Sequence, residues 1–139
     1  MKKIILSFIV IMTSYFFVNA QENPIVNSNL NAPEISFESD VIDYGTIEYS
    51  ADGNRQFKFK NTGKEPLIIT NCQPGCGCTL PNWPKEPIMP GATAVIDVKY
   101  ATDRVGSFDK TITVTSNAKT ASKIIRIKGV VKPNPASPN

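Results

Sequence analysis

Arg55-Gln56-Phe57-Lys58-Phe59-Lys60 alternates polar and aromatic residues, which puts Phe57 and Phe59 on one face of an extended strand and the polar side chains on the other. The same period of two recurs downstream. Ala94, Ile96, Val98 and Tyr100 alternate with Val95, Asp97 and Lys99. Phe108, Ile112 and Val114 share a face opposite Asp109, Thr111, Thr113 and Thr115, and Ile125, Ile127 and Val131 alternate with Arg126, Lys128 and Val130. Leu67-Ile68-Ile69-Thr70 is a short apolar run, which predicts a strand buried on both sides. Asp52-Gly53, between Tyr44–Ser50 and Asn54–Lys60, predicts a hairpin because both turn residues tolerate positive φ. Asn61-Thr62-Gly63-Lys64 and Pro90-Gly91 are further turns, and Asp103-Arg104-Val105-Gly106 and Asn117-Ala118-Lys119 are expected to close later hairpins. No segment after residue 20 has helical periodicity over ten or more residues. About seven short strands with half-polar faces imply an all-β, immunoglobulin-like antiparallel sandwich over residues 34–132. A core disulfide packed on Trp is not expected, because the cysteines are clustered and Trp83 falls outside the strand patterns.

The flanks differ from this middle. Lys2 and Lys3 precede a nearly unbroken apolar run from Ile4 to Val18, and Val18-Asn19-Ala20 ends it with a small-residue cleavage pattern. The run is shorter than the roughly 20 residues that span a bilayer. Residues 1–20 are therefore expected to be a cleaved signal peptide, and the mature chain to be secreted to the periplasm or cell surface of a bacterium. No cysteine near Gln21 suggests a lipid anchor, and nothing later is apolar enough to form a membrane span. The Asn-rich stretch 21–33 reads as a flexible leader, and the Pro-rich stretch 133–139 as a loose tail that cannot join a ladder.

Cleavage removes two lysines and no acid, so the formal charge falls from +3 to +1. The remaining bases are interleaved with acids such as Glu65, Glu86, Asp97, Asp103 and Asp109. There is no basic stripe to neutralise phosphates, which argues against a nucleic-acid partner. The chain has no histidine, so Ser-His-Asp, Cys-His and histidine-based metal-hydrolase machinery are excluded. Its carboxylates stand singly along strands and turns, a pattern of solvated faces rather than of paired-carboxylate catalysis. The expectation is a protein that is not an enzyme.

All three cysteines fall in Asn71-Cys72-Gln73-Pro74-Gly75-Cys76-Gly77-Cys78-Thr79, a segment whose Pro and Gly predict a loop. Three readings compete. One is a local staple, in which Cys72 pairs with Cys76 or Cys78 in an oxidising compartment and leaves one thiol over. Its short loop would contribute stability near the low end for disulfides, and a Cys76–Cys78 bridge would close a very small, strained ring. The second is a soft-metal site on Cys72, Cys76 and Cys78; copper suits three thiolates better than zinc, which lacks a fourth ligand here. The third is thiol–disulfide redox activity, against which stands the absence of a Cys-x-x-Cys motif and of a group to activate the thiol.

Pro66-Leu67-Ile68-Ile69, Cys76-Gly77-Cys78-Thr79, Pro84-Lys85-Glu86-Pro87-Ile88, Pro90-Gly91 and Asp97-Val98-Lys99-Tyr100 together resemble the secreted bacterial domain-of-unknown-function family 1573 (DUF1573). Phe37, Asp43-Tyr44-Gly45-Thr46-Ile47, Phe59-Lys60-Asn61-Thr62-Gly63, Gly106-Ser107-Phe108 and Thr111-Ile112-Thr113-Val114 extend the resemblance over about residues 35–131. It implies an exported, Hydin-like immunoglobulin sandwich of Bacteroidetes-type bacteria with no assigned activity. Cys76 and Cys78 fall on the family's Cys-Gly-Cys-Thr pattern.

The leading functional expectation is a structural or partner-binding module that recognises an envelope protein or glycan. Trp83 and Lys85, in the loop from Cys72 to Pro87, are its candidate contacts, since a loop aromatic can anchor an interface. The competing role for Trp83 is a lid folded over the end of the sandwich. The rival function is a copper or zinc carrier on the three cysteines, and the next is a thiol–disulfide redox protein.

Overall fold

The computed structural model describes residues 29–137; the expected signal peptide and most of the expected leader lie outside them. Among the described residues eight strands form two four-stranded sheets. The first sheet has the order β1 (Ile35–Phe37), β3 (Asn54–Asn61), β6 (Thr93–Tyr100), β5 (Thr79–Asn82). The second has the order β2 (Val41–Ile47), β8 (Ser122–Val131), β7 (Gly106–Ser116), β4 (Ile69–Pro74). The inward residues are those the alternation assigns: Phe57, Phe59, Ile96 and Val98 from one sheet face Ile112, Val114, Ile125 and Ile127 from the other, all buried. Burying such side chains stabilises a fold by about 1.5–3 kcal/mol each. The fold is an immunoglobulin-like sandwich.

The connections depart from the expected hairpins. Asp52-Gly53 joins β2 to β3, which lie in different sheets, and the turn before Gly106 likewise carries the chain from β6 across to β7. Only β5–β6 and β7–β8 are paired neighbours in sequence. β2 runs parallel to β8, so the second sheet is mixed. The crossing at Gly53 is fixed from both sheets: its carbonyl accepts the Tyr44 hydroxyl at 2.9 Å and the Tyr100 main-chain N–H at 3.0 Å.

The end of the expected leader docks on the sandwich through Ala32 and Pro33, while Leu30 stays exposed. Ala32 is buried, and Pro33 O accepts the Lys119 N–H at 2.9 Å. Gly63 makes this approach feasible, since a Cβ there would lie 2.5 Å from Ala32 O. The described part of the tail, 133–137, joins no ladder.

Each free edge is interrupted. β1 is three residues long. β2 is kinked at Gly45 (φ 63°), where its register with β8 shifts, and Asp43 there pairs with Lys128 at 3.4 Å. β4 shifts register between Ile69 and Asn71 and ends in Pro74, and β5 carries Pro81. Bulges, prolines and charges of this kind disfavour strand addition.

Candidate functional site

The cysteine segment is mostly strand rather than loop. Asn71, Cys72, Gln73 and Pro74 pair with Thr115, Val114, Thr113 and Ile112. The extra residue at Thr70 shifts the inward parity from Ile69 to Cys72, whose side chain is buried in the core. The run from Leu67 does not form a strand buried on both sides: Leu67 and Ile69 are buried, whereas Ile68 is exposed. Leu67 makes only an isolated bridge to Ile88, through two hydrogen bonds of 2.8 Å.

Between β4 and β5 the chain crosses from one sheet to the other in a turn held by main-chain bonds. Gly75 N–H donates to Thr111 O at 2.9 Å, Ala101 N–H to Cys78 O at 2.9 Å and Thr79 N–H to Cys76 O at 3.4 Å. Cys76 and Cys78 are bonded to each other, with Cα atoms 5.3 Å apart. That separation lies inside the usual disulfide range, so the turn supplies the spacing that one intervening residue makes hard to reach in an extended chain. Cys76 is half-buried and Cys78 buried. The hydroxyl of fully buried Thr79 lies 3.8 Å from the Cys76 sulfur and 3.9 Å from that of Cys78.

Cys72 remains a free thiol. Burial pushes it up to about 12, because the thiolate would lose its hydration, and the nearby Lys85 ammonium opposes this only in part. The three sulfurs therefore do not present a thiolate set: two are joined and the third is held protonated. Among the described residues no group of three His, Cys, Asp or Glu side chains is placed to hold a metal ion.

Trp83 follows β5 and packs half-buried against the core, with its indole N–H buried and unpartnered. The Lys85 ammonium sits 3.1 Å from the centre of its ring, close enough for a cation–π contact. The loop is thus a lid at its aromatic end, closed from above by the lysine. Leu80, on β5, is 63 % exposed. Sequence reading did not single out Leu80 or Thr79; for Thr79 the signal was its place directly after the Cys-Gly-Cys triplet.

A groove lined in part by Asp52, Gly53, Lys99, Tyr100 and Thr102 lies at the end of the sandwich that holds the disulfide turn, where Ala101 N–H donates to Cys78 O. Its hydroxyl serves the fold, since Thr102 donates to Ala51 O at 2.6 Å. Asp52 is held below the usual carboxylate range, chiefly by the Asn54 main-chain N–H.

The family model described as "Protein of unknown function (DUF1573)" matches residues 35–131. No curated protein matches. Among solved structures, a protein of unknown function from Porphyromonas gingivalis W83 is 14 % identical with a TM-score of 0.64, covering 73 % of this chain and 48 % of that one. The ASH/PapD-like domain 7 of human CEP192 is 8 % identical with a TM-score of 0.59, covering 84 % of this chain and 97 % of the domain. The VesB protease of Vibrio cholerae is 11 % identical with a TM-score of 0.57, covering 72 % of this chain but 32 % of the protease. The chain spans about half the length of the Porphyromonas protein. At these identities the likeness is one of fold. Among the described residues no helix is long and apolar enough to cross a membrane.

Proposed function

This chain belongs to the DUF1573 family of proteins of unknown function, and from that premise we propose that it is an exported, non-catalytic module of the bacterial envelope that recognises a protein or glycan partner through side chains on β5 and the 83–87 loop. The observation that carries this reading is the pre-formed state of that loop. It starts directly from β5, its far end is fixed by the Leu67–Ile88 pair, and Lys85 is seated on Trp83. A surface ordered before binding loses little conformational entropy on binding. Exposed Leu80 adds an apolar contact on the strand that leads into it. The interrupted edges favour recognition by side chains over strand addition. Export rests on residues 1–20: two lysines, an apolar run and the Val18-Asn19-Ala20 pattern.

The test places a photo-crosslinking residue at Leu80, and for comparison at Thr113 on the other sheet, in cells expressing the full chain. A discrete adduct from position 80, abolished by Lys85→Glu, supports the reading. An adduct from position 113 alone, or none from either, refutes the assigned surface. Release of the chain by osmotic shock, with its mass shortened after Ala20, checks the compartment; retention of Met1 to Ala20 refutes export by cleavage.

A further inference from the structure

We propose that Cys76–Cys78 is an exchangeable disulfide that oxidises a protein dithiol, with Cys76 as the sulfur attacked, Cys78 as the leaving sulfur and Thr79 as the positioning residue. The inference is independent of the partner-binding surface above, and the exchange it assigns is stoichiometric, one disulfide spent per dithiol oxidised.

Three observations carry it. First, the bond is redundant as a staple: it closes a ring over one residue, so it removes little chain entropy, and the turn is already held by the main-chain bonds from Gly75, Thr79 and Ala101. Second, the two sulfurs differ in access. Cys76 is half-buried, and a Cβ at neighbouring Gly77 would meet nothing within 4 Å, whereas Cys78 is 5 % exposed. Third, Thr79 stands apart from the other buried polar residues. Asn61 and Thr102 donate to main-chain carbonyls, and Ser116 accepts the Ala118 N–H at 3.3 Å. The contacts of the Thr79 hydroxyl are instead the two sulfurs. A hydroxyl placed there donates to whichever sulfur carries negative charge, which favours the thiolate.

A partner thiolate attacks Cys76 Sγ and forms a mixed disulfide; the Cys76–Cys78 bond breaks and its electron pair leaves on Cys78 Sγ, where Thr79 O–H stabilises it until it is protonated. The partner's second thiol loses its proton and attacks its own sulfur in the mixed disulfide, expelling Cys76 as thiolate, which then takes up a proton. The partner dithiol becomes a disulfide, and Cys76 and Cys78 become thiols by gain of two electrons and two protons. Cys72 takes no part, because its thiol is enclosed in the core.

The test uses the mature protein, with oxidised glutathione as the probe for the single-thiol variants. In a Cys72→Ala background, Cys78→Ser leaves Cys76 as the lone thiol and Cys76→Ser leaves Cys78. The expected result is a glutathione adduct forming at least about tenfold faster on Cys76 than on Cys78, as exposure dictates. Adding Thr79→Val to the Cys78-only variant should move the pH profile of adduct formation to higher pH without lowering the melting temperature by a similar proportion, which separates positioning from mere structure. Equal rates at the two sulfurs, or a profile unmoved by Thr79→Val, overturns the assignment. Should a variant fail to fold, the wild-type disulfide is titrated with dithiothreitol under native conditions and in urea. Native reduction within about tenfold of the unfolded rate supports exchange, and protection of about a hundredfold or more refutes it.

Discussion

Replacing Asn61 with Ala should be among the most damaging single changes available to this domain. Its side chain is completely buried and uses its whole amide: Nδ2 donates to Glu65 O at 2.8 Å and to Ile88 O at 2.9 Å, while Oδ1 accepts the Gly63 N–H at 3.0 Å and, more weakly, the Glu34 N–H at 3.4 Å. Each bond contributes about 0.5–1.5 kcal/mol net, and a buried group left unpaired costs about 1–3 kcal/mol. Water entering the vacated space would satisfy part of the deficit, so a loss of about 3–5 kcal/mol is expected for Asn61→Ala. For a domain of this size each kcal/mol lowers the melting temperature by about 4–8 °C, which makes the loss plain in a thermal melt followed by circular dichroism. Asn61→Asp sharpens the test. The aspartate can still accept from Gly63 and Glu34, but it faces two carbonyl oxygens that it cannot bond while ionised. Its folded-state pKa would be raised, so the deficit relative to wild type should shrink as pH falls from 7 to 4. A loss below about 1 kcal/mol for Asn61→Ala, or a deficit for Asn61→Asp that is unchanged with pH, would show that the amide does not tie Ile88, and with it the end of the 83–87 loop, to the first sheet.

Cys72 should resist iodoacetamide in the native protein at pH 8 and react once urea unfolds it, read as one added label by intact mass; labelling at equal rates in both states would contradict its burial and its raised pKa of about 12. Because folding raises the Cys72 thiol to about 12 and the Tyr44 phenol likewise to about 12, both through desolvation, the stability each contributes is complete below its unfolded pKa and is lost as pH rises toward 12. Urea midpoints should therefore fall progressively above about pH 9, where the free thiol begins to ionise, and Cys72→Ala should abolish the earliest part of the fall. Cys76→Ser with Cys78→Ser should lower stability by no more than ~2 kcal/mol, since a ring over one residue removes little entropy; unfolding of the double variant at 25 °C would instead make the bond a structural requirement.

The faces of β3, β6, β7 and β8 were legible because each has one dry and one wet side, and period two records that directly. What alternation does not encode is sheet membership. A turn such as Asp52-Gly53 reports that the chain reverses, and the reversal is the same whether the next strand pairs with the last or enters the facing sheet. The parallel pairing of β2 with β8 joins Val41 to Arg126, a contact no local pattern can announce. Cys72 was illegible for a different reason. The inward positions run Leu67, Ile69, Cys72, and the extra residue at Thr70 breaks the parity, while Pro74, Gly75 and Gly77 gave the segment the composition of a loop. Likewise, the expected leader reads as polar chain, yet Ala32 is drawn in by a glycine at position 63 that leaves room for its carbonyl.

The same crossing explains why unusual chemistry collects at one place. β4 and β5 belong to different sheets, so the chain between them must traverse the end of the sandwich within the four residues 75–78. Such a tight passage draws Cys76 and Cys78 together while Thr79, the first residue of β5, turns its hydroxyl inward beneath them. A hairpin within one sheet would have alternated these side chains between faces and separated the sulfurs from the hydroxyl. The Trp83–Lys85 loop belongs to the other end of the same edge strand, which is why the recognition surface and the disulfide are neighbours in sequence but separable in experiment: Leu80 and Lys85 can be changed without removing either sulfur of the disulfide, and Cys76 and Cys78 without touching the Leu67–Ile88 pair that fixes the loop. If crosslinking from position 80 persists in Cys76→Ser with Cys78→Ser, recognition does not require the disulfide; if it is lost while the fold is retained, the oxidised turn is what shapes the surface the partner reads.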